Sequence, residues 1–258
     1  MSIERHGLRI PARERIERLK AAVGFVKNKV APAIGKVFPK LADTVVRCCD
    51  KVENFVEKHE TTIEKVLDVV TPPIVKAAED LGLKKQNVDP PEEMAMKAEA
   101  EGNMGVTRAM FESAQEYIQH LHDEVELPAE ARENFDQKEP EEQAAYRVVG
   151  NGIYIAGIAE KTQINEAAFE PGILMDFYKL ELGTEQVLRI LTALRDAGVN
   201  DGVIFSNYLH GGAVSAENQV KIRSAMVKLE KDENPDRSDE QLKAAADERI
   251  QTMRERLG

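Results

Sequence analysis

The clearest pattern of metal-ligand side chains in the sequence is a row formed by Glu116, His120 and Glu124. Their spacing of four residues places both carboxylates and the imidazole on one face of a helix. Such a row binds a divalent ion when a second helix supplies further ligands. No Glu-x-x-His pair stands nearby to complete a di-iron site, and an exposed polar helix face explains the same residues. We therefore predict no metal site and keep these three residues as weak candidates.

A second candidate is the loop after a strong helical segment, where Asp201-Gly202-Val203-Ile204 resembles the centre of an EF-hand calcium loop. With Gly202 at the invariant glycine, Ala197 falls on the first ligand position and Tyr208 on the bidentate carboxylate position. Neither residue can supply the required carboxylate. We expect a metal-free connection between two helices.

Other catalytic and ligand motifs are missing or incomplete. The glycines at 150, 152 and 157 do not match the dinucleotide-binding pattern, and the sequence has no phosphate loop, no Gly-x-Ser-x-Gly and no His-Glu-x-x-His. Cys48 and Cys49 are adjacent, which disfavours a disulfide and indicates buried free thiols in a reducing compartment. These patterns predict no catalytic residue and no cofactor, and they favour a non-enzyme.

Composition agrees with a globular protein. The 258 residues are 42% apolar and 31% charged, too apolar for general disorder. The chain has no run of 18 apolar residues and no apolar leader segment at its start, so we expect a cytoplasmic protein. Its net charge of −11 is uneven, because residues 1–40 carry +7 and residues 84–258 carry −14. An acidic body argues against nucleic-acid binding.

The first 83 residues form an amphipathic helical tract. Aliphatic residues recur every 11 positions, which is three helical turns, and they define one apolar face. We call this the interaction face: Leu19, Val23, Val30, Ile34, Leu41, Val45, Val52, Val56, Ile63 and Leu67. A basic edge follows one side of it: Lys29, Lys36, Lys40, Arg47, Lys51 and Lys58.

Prolines divide this tract into helices. Pro32 and Pro39 predict a break or kink within 31–39, and Thr71-Pro72-Pro73 predicts a new helix start. The expected helices span about 12–31, 40–70 and 72–81.

The interaction face needs a cover, and two kinds of surface could supply it. Helices of the same chain, of another copy or of a partner protein are the first kind. An anionic lipid surface is the second, since the 11-residue period is similar to that of apolipoproteins, synucleins and perilipins.

The remaining chain is interpreted as a linker over 84–105 and an acidic helical domain over 106–258. Thr184, Ser215 and Ser238 are expected to cap helices, and Ser238 with Gln241 predicts a capping box. Residues 146–156 predict either a short β-hairpin, because Asn151-Gly152 is a turn signal, or two helices that meet at Gly150.

These observations predict a mainly α protein with long amphipathic helices followed by an irregular helical domain. The favoured function is a non-catalytic structural or interaction protein whose N-terminal tract docks on partner helices or self-associates. A peripheral membrane protein is the main alternative, and a small helical metal-dependent enzyme is the least favoured one.

Overall fold

The computed structural model describes residues 12–37, 39–59, 61–83, 89–103 and 111–258. Within these ranges the chain forms helices and no strand, which confirms the mainly α prediction. The twelve α-helices of the described part are α1 (Ala12–Val37), α2 (Pro39–Lys58), α3 (Ile63–Asp80), α4 (Pro91–Asn103), α5 (Ala114–Asp123), α6 (Ala129–Asp136), α7 (Pro140–Thr162), α8 (Pro171–Lys179), α9 (Thr184–Asp196), α10 (Gly202–Leu209), α11 (Ala216–Glu233) and α12 (Asp239–Leu257).

Helix α7 is the centre of the N-terminal half and packs against α1, α2, α3, α4 and α5. The β-hairpin that 146–156 could have formed is therefore wrong, because this whole segment is helical. The glycines of this segment allow other parts of the chain to pack closely against α7, and they do not form a turn. A Cβ atom on Gly150 would lie 1.7 Å from the carbonyl oxygen of Pro91, and one on Gly152 would lie 3.1 Å from the Cα of Val45.

The first three helices differ from their expected bounds. Pro39 begins α2, where a missing N–H costs nothing, whereas Pro32 lies inside α1. A separate helix starts after Thr62, whose side chain accepts a hydrogen bond from the Lys65 N–H. The predicted helix of 30 residues is thus divided near residue 60.

Pro72 and Pro73 lie inside α3 and do not begin a helix, as the sequence had suggested. Proline removes the bond to the carbonyl four residues earlier, here those of Asp68 and Val69. Asp68 is exposed and Val69 half-buried, so water can satisfy the freed carbonyls.

Residues 91–103, inside the segment interpreted as a linker or an exposed helix, form α4, which packs on α1 and α7. Met94, Ala95 and Ala98 are fully buried there. Small side chains let α4 approach its neighbours closely, so the segment is core despite its lack of large aliphatic residues. One continuous cluster of buried apolar residues runs from Leu19 to Met253.

The C-terminal helices follow their sequence signals closely. Ser215 caps α11, and Ser238 forms the predicted capping box with Gln241 at the start of α12. Thr184 is the first residue of α9 and not its cap, because Gly183 occupies the cap position. No helix of the described ranges is long and apolar enough to cross a bilayer.

Candidate functional site

The interaction face is covered by helices of this chain. All ten of its residues are buried, and the helices that carry them pack against α7, with α1 also against α4. Eight of the ten belong to α1 and α2. Burying one such aliphatic side chain contributes about 1.5–3 kcal/mol, so exposing eight would cost about as much as unfolding a typical domain. The interaction face is therefore part of the hydrophobic core of the folded chain.

The basic edge is paired with the acidic body. Lys51 Nζ lies 2.6 Å from Glu170 Oε1, and Lys29 Nζ lies 3.4 Å from Glu99 Oε1. Arg47 pairs with Glu166 in the 3₁₀ turn (Glu166–Ala168) between α7 and α8. The side chains of two further members of the edge, at positions 36 and 40, lie outside the described part, and the last member, at position 58, is exposed.

The three weak metal candidates do not converge. Glu116 Oε2 accepts a hydrogen bond from the backbone N–H of Glu112 at 2.8 Å, and Glu124 is the C-cap residue that follows α5. His120 Nε2 instead lies 2.5 Å from Glu101 Oε1, a buried carboxylate on α4. No group of three potential metal ligands occurs among the residues with described positions.

The loop that resembles an EF-hand centre is a helix connection. Asp201 caps α10, because its Oδ1 accepts the backbone N–H of Val203 at 2.9 Å. Gly202 is required by packing, since a Cβ there would lie 2.8 Å from both the carbonyl oxygen of Ala168 and the side chain of Ile173. The aspartate and the glycine therefore serve the fold.

A buried polar cluster that the sequence did not reveal lies where α4, α5 and α7 meet. Asp89 Oδ2 accepts hydrogen bonds from Lys97 Nζ at 2.6 Å and from His122 Nδ1 at 2.7 Å. The Tyr154 hydroxyl donates to the backbone carbonyl of Asp89 at 2.9 Å and lies 3.5 Å from His122 Nε2. At most a tenth of the Asp89, Lys97 and His122 side chains is exposed. We call these four residues the Asp89 cluster.

The charges of the Asp89 cluster stabilise one another. Burial raises the pKa of Asp89, but the hydrogen bonds from Lys97 and His122 outweigh burial and lower this pKa overall. Burial lowers the pKa of His122 despite the opposing effect of the Asp89 carboxylate. Asp89 therefore stays ionised and His122 stays neutral around pH 7.

The backbone at Asp89 is strained. Its φ angle is +36°, on the left-handed side that costs a residue with a Cβ about 1–2 kcal/mol. The next two residues are prolines, and the second touches α7 at Gly150. Buried charge and local strain are more common at functional positions than elsewhere in a fold.

Asp89 and the two prolines that follow it form the bend at which α4 begins, which we call the Asp89 corner. An open groove with a volume of about 630 Å³ lies beside it, between α3 and the start of α4. We call it the α3–α4 groove. Its walls combine an apolar strip, formed by Leu67, Pro72, Val75, Pro90 and Pro91, with polar and charged groups, formed by Asp68, Thr71, Lys76, Glu79, Asp89, Glu92 and Arg147. Asn151 of α7 supports its floor, because its Nδ2 donates to Thr71 Oγ1 at 2.8 Å.

The α3–α4 groove is the candidate site because a strained corner, a buried ionic cluster and a concave surface meet there. No protein-family model, curated protein or solved structure matches the chain.

Proposed function

We propose that the chain is a non-catalytic helical binding protein that takes a segment of a partner protein in the α3–α4 groove. The observation that carries this proposal is the Asp89 corner, where the fold keeps a strained residue and buried charges at the wall of a concave surface. Mixed apolar and polar lining is typical of binding sites.

The contact surface differs from the one that the sequence first indicated. The interaction face is occupied by the chain's own helices, so it is not available for docking in the folded protein. Helix α3, the last helix of the N-terminal tract, still contributes one wall of the groove. The tract would then take part in binding through α3, at the exposed Pro72 and the half-buried Val75, above the buried Leu67.

Matched valine substitutions test this proposal. Val75 is half-buried in the groove, whereas Val203 is exposed on α10, away from it. We expect tagged wild-type protein and Val203→Arg to enrich the same partners from a native lysate, as measured by quantitative mass spectrometry. Val75→Arg should lose them, because it fills the groove and adds a charge. Equal enrichment by all three proteins would refute the proposal.

Self-association and lipid binding are the other predicted modes, and each has its own assay. A mass above that of the monomer in light scattering, lost in Val75→Arg, would identify a second copy as the groove's occupant. Flotation of the protein with phosphatidylserine vesicles, and not with neutral ones, would favour the lipid surface instead. We expect a monomer that stays in the protein-only fraction, because the apolar face is buried and three residues of the basic edge are paired.

A further inference from the structure

We propose that the α3–α4 groove selects a cationic amphipathic segment, whose lysine or arginine side chains face the carboxylates of the groove and whose aliphatic side chains pack on its apolar strip. This inference rests on the proposed function and deepens it by naming the chemistry of the partner. The occupant follows from the charge of the groove, from an unpartnered carboxylate oxygen and from the apolar strip.

The groove and its floor carry an excess of negative charge. Four carboxylates line it, against the two cations Lys76 and Arg147. Both cations already have carboxylate partners, since Lys76 Nζ lies 2.5 Å from Asp80 and Arg147 lies 3.3 Å from Asp68. Two of the four carboxylates are themselves paired, Asp68 with Arg147 and Asp89 with Lys97 and His122, so the excess of negative charge, and not four free acceptors, would attract a cationic segment.

The negative charge around the groove also raises the pKa of two neighbouring groups, Tyr154 and Glu93. The pKa of Tyr154 is raised, first by burial and then by four nearby carboxylates, those of Asp89, Glu79, Glu93 and Glu92. Burial and the Asp89 carboxylate likewise raise the pKa of Glu93. Carboxylates from α3, α4 and the corner before α4 are thus close enough to act on one point.

Glu92 offers an acceptor that the fold does not use. Its Oε2 atom is inaccessible to solvent and has no hydrogen-bond partner among the described residues, although Glu92 lines the groove. A buried carboxylate oxygen without a donor is costly. An ammonium or guanidinium group of a bound segment would supply the missing donor once the Glu92 side chain turns to bring this oxygen to the groove surface.

The apolar strip explains why the segment must also be amphipathic. Pro72 and Pro90 are exposed and rigid and present fixed apolar surface beside the half-buried Val75. The volume of about 630 Å³ lies within the range of sites for small ligands, so it accommodates a few side chains of a segment and not a whole domain.

Fluorescence anisotropy with designed peptides tests this inference. The probe is a labelled 18-residue peptide of lysine and leucine at helical spacing, and its control has glutamate in place of lysine. We expect the full-length protein to bind the first peptide and not the second. Raising the salt from 0.05 to 0.5 M should weaken binding at least tenfold, because charge attraction is screened.

Two variants separate groove binding from general attraction to an acidic protein. Glu92→Gln removes the unpartnered carboxylate, and Glu240→Gln removes an exposed one at the start of α12. We expect about a tenfold loss of affinity for the first variant and less than a twofold change for the second. Unchanged circular dichroism and melting temperature verify that both variants are folded.

Absence of binding, or an equal effect of the two substitutions, would overturn the inference. If the partners enriched from lysate still depend on Val75 while the lysine peptide does not bind, the proposed function stands and its cationic partner is wrong. If enrichment does not depend on Val75, the proposed function itself fails.

Discussion

Gly150 offers the sharpest test of how α7 positions the candidate site. Its helix passes so close to the Asp89 corner that an added Cβ would lie 1.7 Å from the Pro91 carbonyl oxygen and 2.3 Å from its carbon. Real Cβ contacts are essentially never shorter than 3.0 Å, so the corner or the helix must move by more than 1 Å. The obstacle is backbone and cannot rotate away.

We therefore expect Gly150→Ala to lower the free energy of unfolding by about 3 kcal/mol, at the upper end of the cost of overpacking. This loss would appear even though alanine favours helix over glycine by about 1 kcal/mol. In a chain of this size the melting temperature should fall by about 6–12 °C. Urea unfolding followed by circular dichroism measures the change.

Gly24→Ala is the matched control. Gly24 lies inside α1, and a Cβ there meets nothing within 4 Å. The same substitution should stabilise the protein by up to about 1 kcal/mol through helix propensity alone. If Gly150→Ala proves as stable as the wild type, α7 does not pack against Pro91 and the description of the corner is wrong.

Four further predictions concern stability. Lys97→Met should cost about 3–5 kcal/mol in urea unfolding, because it leaves the Asp89 charge buried with only His122 as partner, and a loss below 1 kcal/mol would contradict the buried pairing. The free energy of unfolding should fall as pH drops below about 6.5, because burial holds the pKa of His122 lower in the folded protein than in the unfolded chain, which therefore binds the proton first. His122→Gln should make the free energy of unfolding, measured in urea, depend less on pH in this range. Gln163→Gly should raise the melting temperature slightly, since Gln163 ends α7 at φ +57° and glycine relieves a strain of about 1 kcal/mol; a lower value would refute that reading of its backbone. Val52→Asp should abolish cooperative thermal unfolding or lower the melting temperature strongly, because Val52 is buried, and an unchanged curve would show it exposed.

Apolar periodicity and helix caps predicted much of the helical framework. The recurrence of aliphatic residues predicted the interaction face, from Leu19 to Leu67. Ser238 and Gln241 predicted the start of α12. Both signals act within a few turns of one helix and can therefore be recognised in the sequence. The helix break before Ile63 was not predicted although threonine favours the cap position, because the apolar spacing continues through Thr62 without a Gly or Pro and favoured one long helix.

Tertiary packing decided the parts that the sequence misrepresented. Asn151-Gly152 is a turn signal in isolation, yet these residues lie in a helix because Gly150 and Gly152 permit contact with Pro91 and Val45. Sequence-local reasoning cannot detect such contacts between distant segments.

The Asp89 cluster was missed for a similar reason. The four residues come from three separate stretches, with Asp89 and Lys97 in the first, His122 in α5 and Tyr154 in α7, and none of the stretches carries a recognisable motif. One weak signal was available, since Lys97 stands among small apolar residues of α4 at helical spacing and could have indicated a buried lysine that needs a carboxylate.

The central structural claim is that helices of this chain alone bury the interaction face. The two cysteines of α2, a helix that carries part of this face, test the claim most directly through their thiol reactivity. Cys49 is fully buried, and Cys48 lies against the position of Gly152 on α7. Burial raises the pKa of Cys48 from 9.0 to about 12 and that of Cys49 further. This shift keeps the Cys48 thiol almost entirely protonated near pH 8, whereas the thiolate is the reactive form.

Ellman's reagent should therefore leave both thiols of the native monomer unmodified over hours, with the monomer verified by light scattering, and should titrate two thiols at once in denaturant. Rapid titration of either thiol in the folded monomer would show that α2 does not pack against α7 and would contradict the burial of the interaction face by this chain.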